Sequence, residues 1–301
     1  MSQNLCGQMM KPEVSIGICA RNSEETIALT IESVIKQDFP HSQMEILFVD
    51  DGSEDSTLKI MKFYASKIDI PARIFSSKWR GLGKARNTVI NNARGDYIIW
   101  IDSDETIEKD FVQKQISAMK QHPQAGILTA KLGLRQGERP VLLLDLIPHV
   151  VEYSRQDLVA PSRLPGTGAT TFRVRTARDV GGFDEGIEGP GEDLEIAGRM
   201  KQAGWLILRG NGVFCESHGK LFTWKKLWKR YANQGFHLRR LYRKNNQFFS
   251  LYRMNPVASF VAGSAYAVMG YRKTKMKVVF FLPFHFTLKM TAWFYGFSKS
   301  S

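Results

Sequence analysis

Acid is missing from the C-terminal end of this chain. From Ser217 to Ser301 there are sixteen Lys and Arg and no Asp or Glu. The other 26 basic and 29 acidic residues leave the preceding part at −3, and the chain totals +13. A slightly acidic body therefore carries a wholly basic end, and basic blocks of this kind meet phosphate, on nucleic acid or on anionic lipid. Cysteine is scarce. Cys6, Cys19 and Cys215 are scattered, with no CxxC spacing, which excludes a disulfide frame or a zinc site and reads as reduced, cytosolic thiols. No charged and apolar leader pattern precedes Met10, so no secretory segment is expected. Internal repeats and low-complexity stretches are also lacking.

What remains is an ordinary globular composition, 43% hydrophobic over 301 residues, enough for one large α/β domain plus an appendage. Strand patterns at residues 14–20, 45–49, 72–75 and 97–101 alternate with helix patterns at 25–36, 56–66 and 83–93. Ser23 precedes the first helix, and Asp55 or Ser56 opens the second. Such alternation implies parallel pairing in a doubly wound, mostly parallel sheet with helices on both faces. A helix at 111–121 and a strand at 126–132 follow. Residues 136–165, broken by Pro140, Pro148, Pro161 and Pro165, read as a long irregular excursion or an acceptor loop. Next come a strand at 170–174, a helix at 192–203 and short strands at 205–208 and 213–215. The expected division is an extension over 1–12, a catalytic-looking domain over 13–218 and a basic, apolar helical region over 219–301.

Two acidic clusters carry the chemistry. The apolar run at 46–49 ends in Asp50-Asp51-Gly52-Ser53, and the run at 97–101 ends in Asp102-Ser103-Asp104. In open α/β sheets the ligand crevice lies outside the carboxyl ends of the strands. Carboxylates gathered there repel one another unless a cation or hydrogen-bond donors fill the site. Two acids one residue apart offer hard oxygens to a divalent ion that also holds phosphates, which suits a nucleotide-diphosphate substrate. Asp104 is the candidate ligand for Mg or Mn, and Asp102 reaches the metal or a ribose. The alternative is an Asx turn capping the next helix. Asp51 is placed to accept hydrogen bonds from a nucleobase imide or ribose hydroxyls.

Gly81-Leu82-Gly83-Lys84-Ala85-Arg86-Asn87 opens a helix, and its N–H groups and cations suit a diphosphate or a solvated helix start. The Glu192-Asp193 pair behind Gly189-Pro190-Gly191 either compensates a helix dipole or projects into a cleft as a general base. His218 is a third metal ligand or a structural histidine.

Taken in order, Ala20-Arg21-Asn22-Ser23-Glu24, Val49-Asp50-Asp51-Gly52-Ser53, Ala85-Arg86-Asn87, Asp102-Ser103-Asp104, Gly182-Phe183-Asp184-Glu185 and Gly191-Glu192-Asp193 resemble glycosyltransferase family 2. The resemblance covers residues 12–218 and implies a GT-A fold and an inverting, nucleotide-sugar-dependent glycosyltransferase. It implies donor binding by Ala20, Arg21, Asn22, Glu24, Asp51, Gly83, Lys84, Arg86, Asn87, Asp102 and Ser103. Mn or Mg is implied on Asp102, Asp104 and His218, with Asp193 as base beside Glu192; UDP is the expected nucleotide, with GDP as the alternative. The Cys19-Ala20-Arg21-Asn22 turn departs from the commoner proline-containing version. Lys229-Arg230-Tyr231 is only a loose echo of QxxRW, which disfavours a processive synthase.

Residues 223–244 read as a helix with a dense Lys/Arg face, followed by apolar stretches at 256–271 and 278–297. The second stretch has the length of a span but contains Pro283, His285 and Lys289, so an interfacial segment competes with a crossing one. The expectation is a glycosyltransferase at the cytoplasmic face of the membrane, peripheral or with one C-terminal segment, meeting an anionic surface and a polyprenyl-linked glycan acceptor. A polyprenyl-phosphate sugar transferase is the alternative in the same fold, and a sugar-nucleotide-binding pseudoenzyme is disfavoured by the full set of acids. A nucleic-acid-binding protein would use the basic tail, but its stretches are too apolar for a free basic arm.

Overall fold

The computed structural model describes residues 11–134, 140–152, 168–187, 189–216, 223–244 and 255–299. Among them, strands β1 (Val14–Ala20), β2 (Met44–Asp51), β3 (Ala72–Ser77), β4 (Tyr97–Trp100), β5 (Glu105–Ile107), β6 (Ala125–Leu132), β7 (Thr170–Arg173) and β8 (Leu206–Glu216) form one sheet in the order β3-β2-β1-β4-β7-β6-β8-β5. Its first four strands are mutually parallel, as are β6 and β8, whereas β7 and β5 run antiparallel to their neighbours.

The apolar runs are continuous because both faces of the central strands are covered. Ile46 and Phe48 face one core with Ile27 and Ile31 of α1 (Ile27–Ile35) and Phe111 of α4 (Phe111–Gln121). Leu47 and Val49, one step along the same strand, face the other core. There they meet Val89 of α3 (Leu82–Asn92) and Ile196 of α7 (Glu192–Gln202). The period-2 alternation of a strand thus serves two helical layers. Helices α2 (Thr57–Ala65) and α6 (Val174–Asp179) complete the layers.

Three expectations need correction. Residues 140–152 form helix α5 (Pro140–Glu152) despite two prolines. Pro140 stands at its start, where no N–H is needed. Pro148 lies inside the helix, and burial of Leu142, Leu144, Leu146 and Ile147 offsets its cost. The remainder of that stretch, 136–139 and 153–165, lies outside the described residues. Second, the two short strands expected at 205–215 are one strand, β8, with a register irregularity against β6. Gly210 is needed for close approach rather than for a turn: a Cβ there would lie 2.6 Å from the Thr129 carbonyl oxygen. Third, β5 and α6 are three and six residues long, too short to carry a periodic signal.

Beyond the sheet, α8 (Trp224–Lys244), α9 (Pro256–Thr274), a 3-10 turn (Lys277–Phe281) and α10 (Leu282–Lys299) form a helical layer against α5. Leu227 of α8 packs with Leu142 and Leu146, and Leu282 packs with Leu144 and Ile147.

Candidate active site

The strand order reverses between β1 and β4, and at such a switch point the crevice opens at the carboxyl ends. Ala20 pairs with Asp50, and Ile101 donates its N–H to the Gly17 carbonyl, so the loops after β1, β2 and β4 leave the sheet side by side. Side chains stitch these loops together. The Asn22 N–H donates to Ser53 Oγ at 3.0 Å, and the Glu54 N–H donates to Asn22 Oδ1 at 2.8 Å. The Ser56 N–H donates to Glu24 Oε2, and Ser23 Oγ lies 2.8 Å from Ser103 Oγ. Asn22 adopts φ +51, a conformation asparagine tolerates.

Asp51, buried, accepts the N–H groups of Arg80 and Gly81 at 2.8 and 3.0 Å and so fixes the loop that opens α3. Gly52 is required beneath that loop, since its φ is +75 and a Cβ would lie 2.5 Å from the Trp79 nitrogen. Trp79 is 62% exposed, with the Arg21 guanidinium 5.1 Å from its ring centre.

A cavity of about 710 Å³ lies over these loops, lined among others by Asn22, Ser103, Asp102 and Asp104 and, from α8, by Lys226 and Arg230. Asp102 is held from below. Its N–H donates to Glu105 Oε2 at 2.9 Å, the same oxygen that accepts the Ala169 N–H, and its carboxylate lies 3.3 Å from Arg86 Nη2. Desolvation at the crevice floor pushes the Asp102 carboxyl above its ordinary range. Arg86 opposes that rise, and the charges of Asp104, Asp193 and Glu216 add to it. Burial, with Asp102 and Asp104 nearby, pushes Glu105 further up still.

Arg86 and Glu192 are both buried and ion-paired with each other. This corrects the expectation for two residues. Arg86 reaches Asp102 from within the protein rather than standing open to a diphosphate, and Glu192 anchors Arg86 rather than projecting into the cleft. Asp193, the next residue, is half-buried in the first turn of α7, with Oδ1 accepting the Leu194 N–H. Asn87 braces Phe183, accepting its N–H and donating to its carbonyl, while Gly83 is buried against the same turn. Lys84 is half-buried. His218 lies outside the described residues. Among the described residues no group of three or more His, Cys, Asp or Glu is arranged to hold a metal ion.

Glu216 was not singled out beforehand, and Lys226 and Arg230 belong to the basic face expected over 223–244. Glu216 ends β8 opposite Glu105, and Lys226 and Arg230 come from a separate helix. Burial works against the Arg230 charge, yet Tyr231, Asp145, Glu216 and Asp104 hold its pKa above the ordinary value. The Arg86–Glu192 pair yields a direct check. Arg86→Met leaves Glu192 buried without its partner and should cost about 3–5 kcal/mol, whereas Arg86→Met with Glu192→Leu should recover most of it. Urea unfolding measures both, and a single variant within about 1 kcal/mol of the native protein would contradict the assignment.

Comparison with known proteins adds a family. The Glycosyl transferase family 2 model matches residues 15–176, and that of Glycosyl transferase family group 2 matches residues 97–298. A poly(ribitol-phosphate) beta-N-acetylglucosaminyltransferase, TarS of Staphylococcus aureus, is 33% identical over 114 residues, 38% of this chain and 20% of the relative. The chain thus spans about a fifth of that relative's length. A mannosyltransferase from Pyrobaculum calidifontis, solved with GDP-Man and Mn2+, superposes with a TM-score of 0.68 at 16% identity, over 96% of this chain and 87% of the other. TarS 1-349 of S. aureus, solved with UDP, gives 0.54 at 17% identity, over 93% and 90%. Both likenesses are of fold.

Proposed function

Because the chain belongs to glycosyl transferase family 2 and has the GT-A fold, we propose that it is an inverting glycosyltransferase moving a sugar from a nucleotide-diphosphate donor to a hydroxyl of a glycan acceptor. One observation carries the reading: Asp102 and Asp104 share the floor of a cavity at the strand switch point, and Lys226 and Arg230 line the same cavity. Anion-repelling and anion-attracting groups facing one space suit a diphosphate with a counter-ion. The donor is proposed to be a UDP-sugar, a choice supported by the UDP complex of TarS, whereas the GDP-Man complex keeps GDP within the test.

The donor set fits a divalent cation. Desolvation raises the Asp102 carboxyl and the charge of Asp104 adds to that rise, so two hard carboxylates one residue apart suit a hard cation. Asp102 and Asp104 would hold Mn or Mg, which when bound offsets charge on the leaving diphosphate. Arg21, Asn22 and Asp51 receive the nucleoside end, Asp51 with lone pairs left beyond its two backbone contacts. Asp193 takes the proton of the acceptor hydroxyl. The hydroxyl oxygen bonds to the anomeric carbon, the bond to the diphosphate oxygen breaks, and its electron pair leaves with the diphosphate. Attack from the opposite face inverts the centre. Lys226 and Arg230 neutralise the departing group. The acceptor is proposed to be a glycan on a polyprenyl lipid, a reading supported by the acid-free helices that border the crevice.

The test is release of nucleoside diphosphate from a panel of UDP- and GDP-sugars with Mn. One donor should turn over, and Asp104→Ala should slow it roughly a hundredfold. Native turnover in that variant would contradict the site. Arg230→Gln should raise the donor KM ten- to hundredfold, roughly the worth of one charged hydrogen bond, with a smaller change in kcat. A raised acceptor KM with an unchanged donor KM would move these cations to the acceptor.

A further inference from the structure

The C-terminal helices bury a few polar groups among apolar ones and leave many large apolar side chains on their outer side. Pro283, His285 and Lys289, which interrupt the long apolar run, are all buried. His285 Nε2 and Lys289 Nζ reach Asp145 of α5 at 3.2 and 2.6 Å. The inner face of α9 is small: Ser259, Gly263, Ala267 and Gly270 are buried, and a Cβ on Gly263 would lie 2.6 Å from Pro283 Cα. On α9 the large side chains Val257, Phe260, Val261, Val268 and Met269 turn away from the protein. Among the described residues, twelve of the eighteen exposed large hydrophobic residues lie between Val257 and Tyr295, among them Val261 at 67%, Phe281 at 62% and Phe284 at 65%.

These residues form one surface. Phe260 meets Phe284 edge to face at 5.7 Å, and Tyr271 meets Phe280 at 5.3 Å, so the outer side of α9 continues into the 3-10 turn and the start of α10. Arg272, Lys273, Lys275 and Lys277 are exposed where α9 ends. A contiguous exposed apolar patch rimmed by polar groups marks an interaction site. Among the described residues no helix is long and apolar enough to cross a membrane.

We propose that the outer face of α9 and residues 277–284 is a monotopic docking surface for an anionic bilayer, lying in the interface plane. Aromatic and aliphatic side chains enter the headgroup boundary, and the Lys/Arg rim meets anionic lipid of the cytoplasmic leaflet. Charge selects this occupant. Residues 217–301 contain no acid, so a second copy laid on the same face would bring two basic rims together with nothing on them to pair.

The test is flotation of the full chain with vesicles of phosphatidylcholine alone or mixed with phosphatidylserine. The chain should float with the mixed vesicles at low salt and be released by high salt. Phe281→Ser with Phe284→Ser, and separately Arg272→Glu with Lys277→Glu, should each weaken partition roughly tenfold or more while leaving the melting temperature unchanged. No flotation of the native chain overturns the proposal. Equal flotation of the variants does so too, as does self-association abolished by the Phe changes without vesicle binding. No donor is present in this assay, so its failure is distinct from failure of the transferase reading.

Discussion

Asp193→Asn lowers the transfer rate by a factor of roughly 10² to 10⁴, the range a positioned general base contributes, while the donor dissociation constant stays within about threefold of the native value. In the proposed mechanism the two effects separate, because Asp193 is assigned to the acceptor hydroxyl and the donor to the loops after β1, β2 and β4. Neighbouring Glu192 is buried on Arg86 and is not assigned to the proton transfer. Steady-state turnover with calorimetric donor titration measures both quantities, and native turnover would remove Asp193 from the mechanism. Activity retained only toward a polyprenyl phosphate, already an anion, would favour that acceptor, since it needs no base.

Asp145→Ala destabilises the protein by about 3–5 kcal/mol, because it leaves Lys289 buried without its counter-charge. Asp145 also accepts the Tyr231 hydroxyl at 3.0 Å and lies 3.9 Å from Arg230, so this one carboxylate joins α5, α8 and α10. Asp145→Leu with Lys289→Met should be far closer to native, since replacing both members of a buried pair by apolar groups is often neutral. Denaturant unfolding of the three proteins decides it, and a single variant within about 1 kcal/mol of native would contradict the node. The node also sets a pH dependence. Burial works against the Asp145 charge, yet Lys289, His285 and Arg230 hold its pKa well below the carboxylate range. Burial lowers the pKa of His285. Both groups bind more protons when unfolded, so stability rises with pH. On acidification the His285 contribution fades below about pH 6.5, and that of Asp145 fades below about pH 4.

The strands that build the crevice were legible because both faces of each are buried, so their apolar runs stand out between acidic and glycine-rich turns. Asp51, Asp102 and Asp104 could be placed at strand ends for the same reason. The helix at 140–152 was not legible, because two prolines signal irregularity and only its packing against α8 and α9 makes the helix worthwhile. Arg86 and Glu192 stand 106 residues apart, and nothing local says that they neutralise each other. Asp145 and Lys289 are separated by 144 residues, so Lys289 read as an intruder in an apolar run when it is the partner of a buried acid. The burial of His285 and Lys289 beside Leu282 and Trp293 on the inner side of α10 follows from that pairing.

Thermal stabilisation by nucleoside diphosphates, with and without Mn, in the native protein and Asp104→Ala, tests the central claim most directly. A ligand bound only to the folded state adds about 2.7 kcal/mol at a hundredfold excess over its Kd. One nucleotide should stabilise the native protein in a Mn-dependent way, and Asp104→Ala should lose that gain. No stabilisation by any nucleotide, or an equal gain in the variant, would contradict a metal-assisted nucleotide-sugar site at the ends of β1, β2 and β4.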